Sequence, residues 1–479
     1  MKKIFLITGF LVIMISGEVV AQNEVDALRY SQINYGGTAR SLAMGSAFGV
    51  LGGDFSSLSL NPAGIGIYSG KELTLTPSNY FVNVKSKYNN NSTDDLKYKF
   101  NLNNAGVVLA FTPKKESVCK GIQIGFGFNR LNNYSYNGFY EGANSTNSIM
   151  DDFLDKAQGI QPQELGEFDT KLAFNTYLID TSGGLTNYIS PVLQGGVLQS
   201  KSVMASGSGN EMVLTVGGNL NDKLYIGGTV GFPFVRYTEN SIYEETDEGD
   251  TLADFKKMEY HNYLETQGSG FNFKFGIIYK ITDWVRIGAS IHTPSFYSMK
   301  DRWNSDIEAN YDDGTRYSSE SPKGVFDYQL NTPFRVNGGV AFVIKKFALI
   351  SGEYEFVDYR NARLRSSTYR FSEENKAINN LYTYQSNVRA GFEIKYDIAS
   401  FRGGYTFSSN PYASKEINDG TRHSFSGGVG LRFNKYFFDI AYIYSMWKEK
   451  IYLYSLVPSP VNNSLASHNV VFTFGVKLN

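Results

Sequence analysis

Residues Ala27 to Tyr68 read ALRYSQINYGGTARSLAMGSAFGVLGGDFSSLSLNPAGIGIY, a stretch with the period of neither an amphipathic helix nor a half-buried strand. Gly36, Gly37, Gly45, Gly49, Gly52, Gly53, Gly64 and Gly66 let backbone lie against backbone, and Asn61-Pro62 fixes a turn before the chain changes character. The stretch therefore reads as a plug. From Lys71 onward the sequence reads as the wall built around it.

That wall shows as alternation of period two. In the segment from Phe271 to Tyr279, Phe271, Phe273, Phe275, Ile277 and Tyr279 oppose Asn272, Lys274 and Gly276. Ile122, Ile124, Phe126 and Phe128 oppose Gln123, Gly125 and Gly127 in the same way, as do Val388, Ala390, Phe392, Ile394 and Tyr396 against Arg389, Gly391, Glu393 and Lys395. About fourteen strands follow from this pattern, near 71–86, 96–112, 121–136, 200–219, 223–244, 258–280, 284–303, 323–344, 347–365, 385–396, 400–409, 421–433, 436–449 and 466–478. A soluble sandwich also alternates, so the connections decide. Tight links such as 219–223, 281–283, 397–399 and 434–435 interleave with long polar loops such as 137–199, 304–322 and 366–384. Short turns on one side and long loops on the other are the pattern of an outer-membrane barrel. The fold class is all-β, a transmembrane antiparallel β-barrel with an N-terminal plug in its lumen. An even strand count puts both ends of the wall on the periplasmic side.

Composition agrees. Gly 48, Tyr 34 and Phe 35 with only 12 Pro describe strand formers and close-packing glycines. A mean hydropathy of -0.27 excludes a helical membrane bundle. Lys+Arg 45 against Asp+Glu 46 leaves no field to attract nucleic acid. Met1-Lys2-Lys3, the apolar run Ile4 to Ile15 and Val19-Val20-Ala21 have the form of a secretory signal peptide cleaved after Ala21. The expected organisation is residues 1–21 signal peptide, 22–68 plug and 69–479 barrel, in the outer membrane of a Gram-negative cell. The lone Cys119 can form no internal disulfide and reads as a half-buried strand residue.

No catalytic or metal signature stands out, and no cofactor is expected: His261, His292, His423 and His468 are isolated, with no HExxH, Cys pair or phosphate-cradling loop. The chain does not read as an enzyme, and His292 reads as a hydrogen-bonding residue of the lumen or rim. Alternation sends Glu353, Glu355, Arg389, Glu393, Lys395, Arg402 and Arg432 to the lumenal face, where opposite charges can pair across the wall or hold the plug. In the loop 138–199, Met150, Phe153 and Leu154, then Leu165, Phe168, Leu172 and Ala173, fall at helical spacing. Two short amphipathic helices there would either cap the barrel mouth or offer a groove to an apolar ligand, contacted by Phe153, Leu154, Leu165 and Phe168.

The leader, the Gly-rich plug ending in Asn61-Pro62-Ala63 and about fourteen strands together resemble the FadL/TodX-type outer-membrane transporters of long-chain fatty acids and other hydrophobic compounds. TARSLAMGSAFGVLGGDFSSLSLNPAGIGIY, YIGGTVGFPFVRY and GFNFKFGIIYKITDWVRIGASIHTP are most similar to the Bacteroidetes-type branch. The resemblance covers the whole mature chain. It implies passive, ligand-gated uptake of a hydrophobic small molecule, with plug movement about Asn61, Pro62, Ala63 and Gly64 opening a route, in some members sideways into the membrane lipid. It also implies a kinked third strand, placed here near Gln123 to Asn129, where Gly125 and Gly127 would permit a bulge. The segment Asn469 to Asn479 resembles the closing strand of such barrels. A non-transport barrel serving a secretion or surface-attachment partner stays open as an alternative, and haem uptake finds no paired ligands.

Overall fold

The computed structural model describes residues 23–113, 117–192, 195–345 and 347–478. The expected signal peptide lies outside the described residues. One antiparallel sheet closes on itself as fourteen staves. They are β1 (Lys71–Tyr88), β2 (Asn91–Phe111), β3 (Cys119–Asn133, continued by Tyr136–Asn144), β4 (Val197–Leu220), β5 (Leu224–Thr246), β6 (Lys257–Lys280) and β7 (Val285–His292, continued by Phe296–Asn310). Then come β8 (Gly324–Asn331 and Arg335–Ile344), β9 (Ala348–Asp358), β10 (Tyr384–Tyr396), β11 (Ala399–Ser408), β12 (Arg422–Phe433), β13 (Tyr436–Ile451) and β14 (Val461–Leu478). Each pairs with the next, and β14 returns to β1 from Lys71↔Leu478 to Lys87↔Asn462. The pairing of β14 with β1 leaves no free terminal strand, and the backbone groups of the sheet are paired within it as hydrocarbon on its outer face demands, except at one break beside β3.

The alternation has the meaning expected of it. Phe275 is 57% exposed on the outer face of β6, whereas Lys274 beside it is 3% exposed on the inner face. Leu73, Phe126, Phe392, Ile440 and Phe474 belong to the same outward apolar belt. At one end the staves join through tight turns whose residues take positive φ: Asn221, Asp222, Lys345, Asp397 and Asn434 lie between 49° and 56°. Asn and Asp tolerate that conformation best, which is why these turns are short. The opposite end carries the long connections 145–196, 366–383 and 409–421.

Inside sits the plug. Its helices are α1 (Glu24–Ser31), α2 (Ala39–Ala43) and α3 (Ser57–Leu60), followed by a 3-10 turn at Pro62–Ile67. Side-chain caps open α1, α2 and the 3-10 turn. Asn23 accepts from Val25 N at 3.1 Å, and Asn61 accepts from Ala63 N at 3.1 Å. Thr38 caps α2 through Ser41 N at 3.2 Å and donates to Asp54 at 2.7 Å, tying two parts of the plug together. Residues Ala39, Ala43, Met44, Phe48, Phe55, Leu58, Ala63 and Ile65 have no more than 1% of their surface exposed, so the plug is packed rather than loosely held.

The loop 145–196 forms a cap over the far mouth. Its helices are α4 (Ile149–Ala157) and α5 (Thr170–Asn175), with the Ser148/Asp151 capping box opening α4. Phe153, Leu165 and Leu172 are buried in one cluster with Tyr88, Tyr140 and Tyr243 from the wall. Leu165 and Phe168 lie outside the helices, because Gly166 and the turns around it interrupt the spacing read from the sequence. Glu245 of the wall anchors the cap by accepting from Ile149 N at 2.9 Å, and is itself braced by Gln199 Nε2 of β4 at 2.8 Å. A last helix, α6 (Ser372–Leu381), lies against α1, and Tyr382 donates to Glu24 O at 3.0 Å.

Candidate functional site: a plugged lumen beside a break in the wall

Three groups of lumenal charges hold the plug. Glu393 on β10 accepts from Arg40 of α2 (Nε 2.9 Å, Nη2 3.0 Å) and from Arg402 on β11 (2.6 Å), and Arg402 continues to Asp439 at 2.7 Å. Glu211 on β4 bonds Lys274, Asn272 (2.9 Å) and the plug's Ser59 (3.1 Å). Glu355 on β9 takes Arg335 at 3.0 Å and Arg389 at 3.1 Å, while Arg335 also donates to Ser31 O in the plug. Glu353, one pleat away, receives Val50 N at 3.2 Å. The sequence-predicted lumenal charges are therefore brought together in mixed-sign knots. Glu211 and Arg335 were missed, and Lys274 was placed on the inner face without a partner, because each becomes meaningful only beside its cross-wall neighbours.

His292 is 3% exposed in the lumen, its Nε2 2.9 Å from Leu60 O. Asn61 sits at the base of the plug, where its Nδ2 reaches Ile277 O on β6 at 3.3 Å. The wall is shaved to glycine there: a Cβ on Gly227 would meet Pro62 O at 2.3 Å, and one on Gly276 would meet Asn61 Oδ1 at 1.8 Å. Asn61, Pro62, Ala63 and Gly64 are thus seated together on β5 and β6.

The wall breaks next to β3. The β2–β3 ladder runs regularly from Phe111↔Ile122 to Asn104↔Asn129 and stops. The segment Gln123 to Asn129, where the kink was expected, is regular in both of its ladders; the register shifts on β3 fall on either side of it, between Cys119 and Gly121 and between Arg130 and Asn132, the second at the point where the β2 ladder ends. Asparagine chemistry explains the position. Asn133 N bonds Asn132 Oδ1 at 2.9 Å and Ser135 N bonds Asn133 Oδ1 at 3.0 Å, local bonds that compete with a ladder. Gly125 and Gly127 serve instead as packing seats, since a Cβ there would meet Leu58 and Phe55 side chains at 2.6 Å.

Among the described residues, β2 above Asn104 and β3 above Asn129 share no ladder. Arg130 Nε spans the gap to Leu102 O at 3.3 Å, and Asn137 Nδ2 reaches Leu96 O at 3.5 Å higher up. The freed β3 backbone bonds the plug: Asn34 N donates to Leu131 O at 2.8 Å and Gly36 N to Arg130 O at 2.9 Å. Tyr98 and Phe100, 53% and 63% exposed, lie on the outer face of β2 at this height. Behind the gap is a lumenal cavity of about 170 Å³, bounded by the plug from Ile33 to Ser46 and by β1–β3 and β10–β14.

The cap's charges add one local feature. Lys156 lies 2.9 Å from Asp152 and 3.3 Å from Asp169. Burial works against its ammonium, but the carboxylates of Asp169 and Asp152 outweigh it and raise its pKa. Of the apolar residues read from the sequence, Phe153 packs on Tyr260 and Phe168 on Trp303, at ring separations of 5.9 and 5.6 Å, while Leu154 borders the cluster.

The closed fourteen-stranded barrel has the fold of solved FadL-type and toluene-transporter structures. Among solved structures, the chain is similar to a Pseudomonas aeruginosa FadL homologue, with a TM-score of 0.55 and 12% identity over 93% of this chain and 98% of that one. It is also similar to the P. putida toluene transporter TodX, with a TM-score of 0.53 and 13% identity over 93% of this chain and 99% of that one. No family model and no curated protein matches the sequence.

Proposed function

We propose that this chain is an outer-membrane channel that takes up hydrophobic small molecules, long-chain fatty acids among them, by passive diffusion gated by the plug. One observation carries the reading: the backbone freed by the break in β3 is bonded to plug residues Asn34 and Gly36, beside a cavity the plug itself bounds. A shift of the segment from Ile33 to Ser46 breaks those bonds and widens the path from lumen to wall gap. Asn61, Pro62, Ala63 and Gly64, seated on β5 and β6, are the fixed end about which that shift turns. Phe153, Leu154, Leu165 and Phe168 in the cap are the first apolar contacts, Leu154 and Phe168 being less buried than the other two. The solved structures of this fold include a protein described as a toluene transporter, which supports an apolar cargo for the class.

Asn61→Ala removes the cap on Ala63 and the bond to Ile277 O, a local cost of about 1 kcal/mol that the barrel survives. Uptake of a radiolabelled long-chain fatty acid by cells carrying Asn61→Ala is expected to fall severalfold at equal surface abundance. Uptake at the unaltered rate sinks the hinge role.

A further inference from the structure

Four lysines at the cap end of β1 and β13 stand in a regular frame on the outside of the wall. By register, Lys85 and Lys448 flank Ser464 of β14, and Lys87 and Lys450 flank Asn462 one pleat higher. Alternation turns these residues outward: Val82, Val84, Ser86 and Tyr88 of β1 are buried inside, as are Asn463 and Leu465 of β14. Strands lie about 4.8 Å apart and successive outward residues about 7 Å apart, so the lysine stems rise from the corners of a frame roughly 10 Å wide and 7 Å high. The frame straddles the pairing of β14 with β1 that closes the barrel.

The frame has no counter-charge of its own. The outward positions of β1, β13 and β14 carry no aspartate or glutamate, and the nearest acid on the sheet, Asp94 of β2 opposite Lys85, is engaged by Asn83 Nδ2 at 2.6 Å. On β5 to β8 the outward cations are matched instead: Lys257 lies 2.8 Å from Glu244 and 2.9 Å from Glu259, and Lys300 lies 3.2 Å from Asp327. Among the described residues, none of the four lysines makes such a pair. Lys450 is positioned by loop carbonyls, its Nζ donating to Lys415 O and Glu416 O at 3.0 Å. Height sets the surroundings. Lys85 stands twelve residues above the exposed Leu73 of β1, which at about 3.3 Å per residue and a tilt of about 45° is roughly 28 Å of membrane. Just below the frame, Phe81 lies on Tyr98 and Tyr444 on His468, with ring centres 5.0 and 5.1 Å apart. Aromatic rings mark the membrane interface, so the ammonium groups stand at the level of the outer head groups.

We infer that this frame binds a phosphorylated glycolipid of the outer leaflet, its phosphates resting among Lys85, Lys87, Lys448 and Lys450 and its acyl chains lying along β14 from Ala466 to Phe474. Lysine suits phosphate as a point charge on a mobile stem. Four uncompensated cations within about 10 Å exceed what the single charge of a phospholipid diester needs, whereas phosphate monoesters on a sugar backbone carry close to two charges each. Asn462 and Ser464, between the lysine columns, offer hydrogen bonds to the sugar. An acidic polypeptide would match the charge but make no use of the aromatic girdle directly beneath it. The bound lipid joins the first stave to the last two and clasps the seam of the barrel. The inference concerns the outer wall and is independent of what the pore carries.

The test uses the full-length barrel purified in a neutral maltoside detergent, with native mass spectrometry counting bound lipid A, dephosphorylated lipid A and phosphatidylglycerol in separate titrations. One lipid A is expected to bind at least tenfold more tightly than either of the others. The barrel carrying Lys85→Gln and Lys448→Gln should lose most of that preference, the one carrying Lys85→Arg and Lys448→Arg should keep it, and Lys300→Gln, in the charge-matched part of the wall, should leave it unchanged. Inorganic phosphate in large excess should not displace the lipid. Equal binding of lipid A and its dephosphorylated form overturns the site, as does a preference that survives Lys85→Gln with Lys448→Gln. Phosphatidylglycerol bound as tightly as lipid A, or displacement by inorganic phosphate, overturns the assignment to a glycolipid.

Discussion

Replacing Glu393 with alanine is expected to destabilise the folded barrel by about 3–5 kcal/mol, the cost of stranding buried cations whose shared anion is gone. The Glu393 side chain is fully buried and that of Arg402 is 1% exposed, so water offers the Arg402 guanidinium no substitute partner at once, while Arg40, 19% exposed, is only partly wetted. Arg40 loses both of its bonds to the wall, and Arg402 keeps only Asp439. Removing Arg40 instead leaves Glu393 with Arg402, so Arg40→Ala should cost less than half as much and act on the seating of the plug rather than on the wall. Urea midpoints, followed by the shift in gel mobility between folded and unfolded barrel, measure both. Losses within about 1 kcal/mol of each other would mean that water already shares the knot.

Leucine at Gly404 is expected to unseat the plug and leave the wall closed. Gly404 and Gly391 lie directly opposite each other on β10 and β11, and together they form the seat of Met44 and Gly45. A Cβ on Gly404 would stand 2.1 Å from Gly45 N, and one on Gly391 would stand 2.2 Å from Met44 O. These neighbours are backbone atoms, which no rotamer change can move aside. Gly45 itself has φ +63°, a conformation that a residue with a side chain adopts at a cost. The β10–β11 ladder does not depend on the missing Cβ, so the barrel still closes. Gly404→Leu should therefore raise single-channel conductance in planar bilayers severalfold. A folded Gly404→Leu barrel with unaltered conductance would show that the plug can yield at this joint.

Much of this architecture is legible in the sequence because it rests on period two and on turn chemistry. Each of the fourteen expected segments lies within or overlaps one stave, since a residue such as Phe275 must face outward when Lys274 faces in. The plug was legible from its glycines, though their purpose is half of the story: the matching glycines of the wall, Gly227, Gly276, Gly391 and Gly404, become visible only when the two surfaces meet. Glu393, Arg402 and Glu355 could be assigned to the lumen by alternation, but their partners Arg40, Asp439 and Arg335 lie far away in sequence. The break in β3 was displaced in the reading because glycine was taken as its signal. The signal is the asparagine pair Asn132 and Asn133, whose side chains satisfy the local backbone.

If uptake requires the plug to move relative to the wall, a reversible covalent lock between the two must stop it. A Cβ on Gly428 of β12 would stand 2.7 Å from Ala43 Cβ in α2. A disulfide needs about 3.5–4.5 Å between these atoms, so a pair of cysteines requires a shift of roughly 1 Å. With Cys119 changed to serine, the barrel carrying Ala43→Cys and Gly428→Cys is compared oxidised and reduced, the cross-link being verified by mass spectrometry. Uptake of a labelled long-chain fatty acid should fall at least tenfold in the oxidised barrel and return on adding dithiothreitol. Equal uptake in the cross-linked and reduced forms would contradict the account.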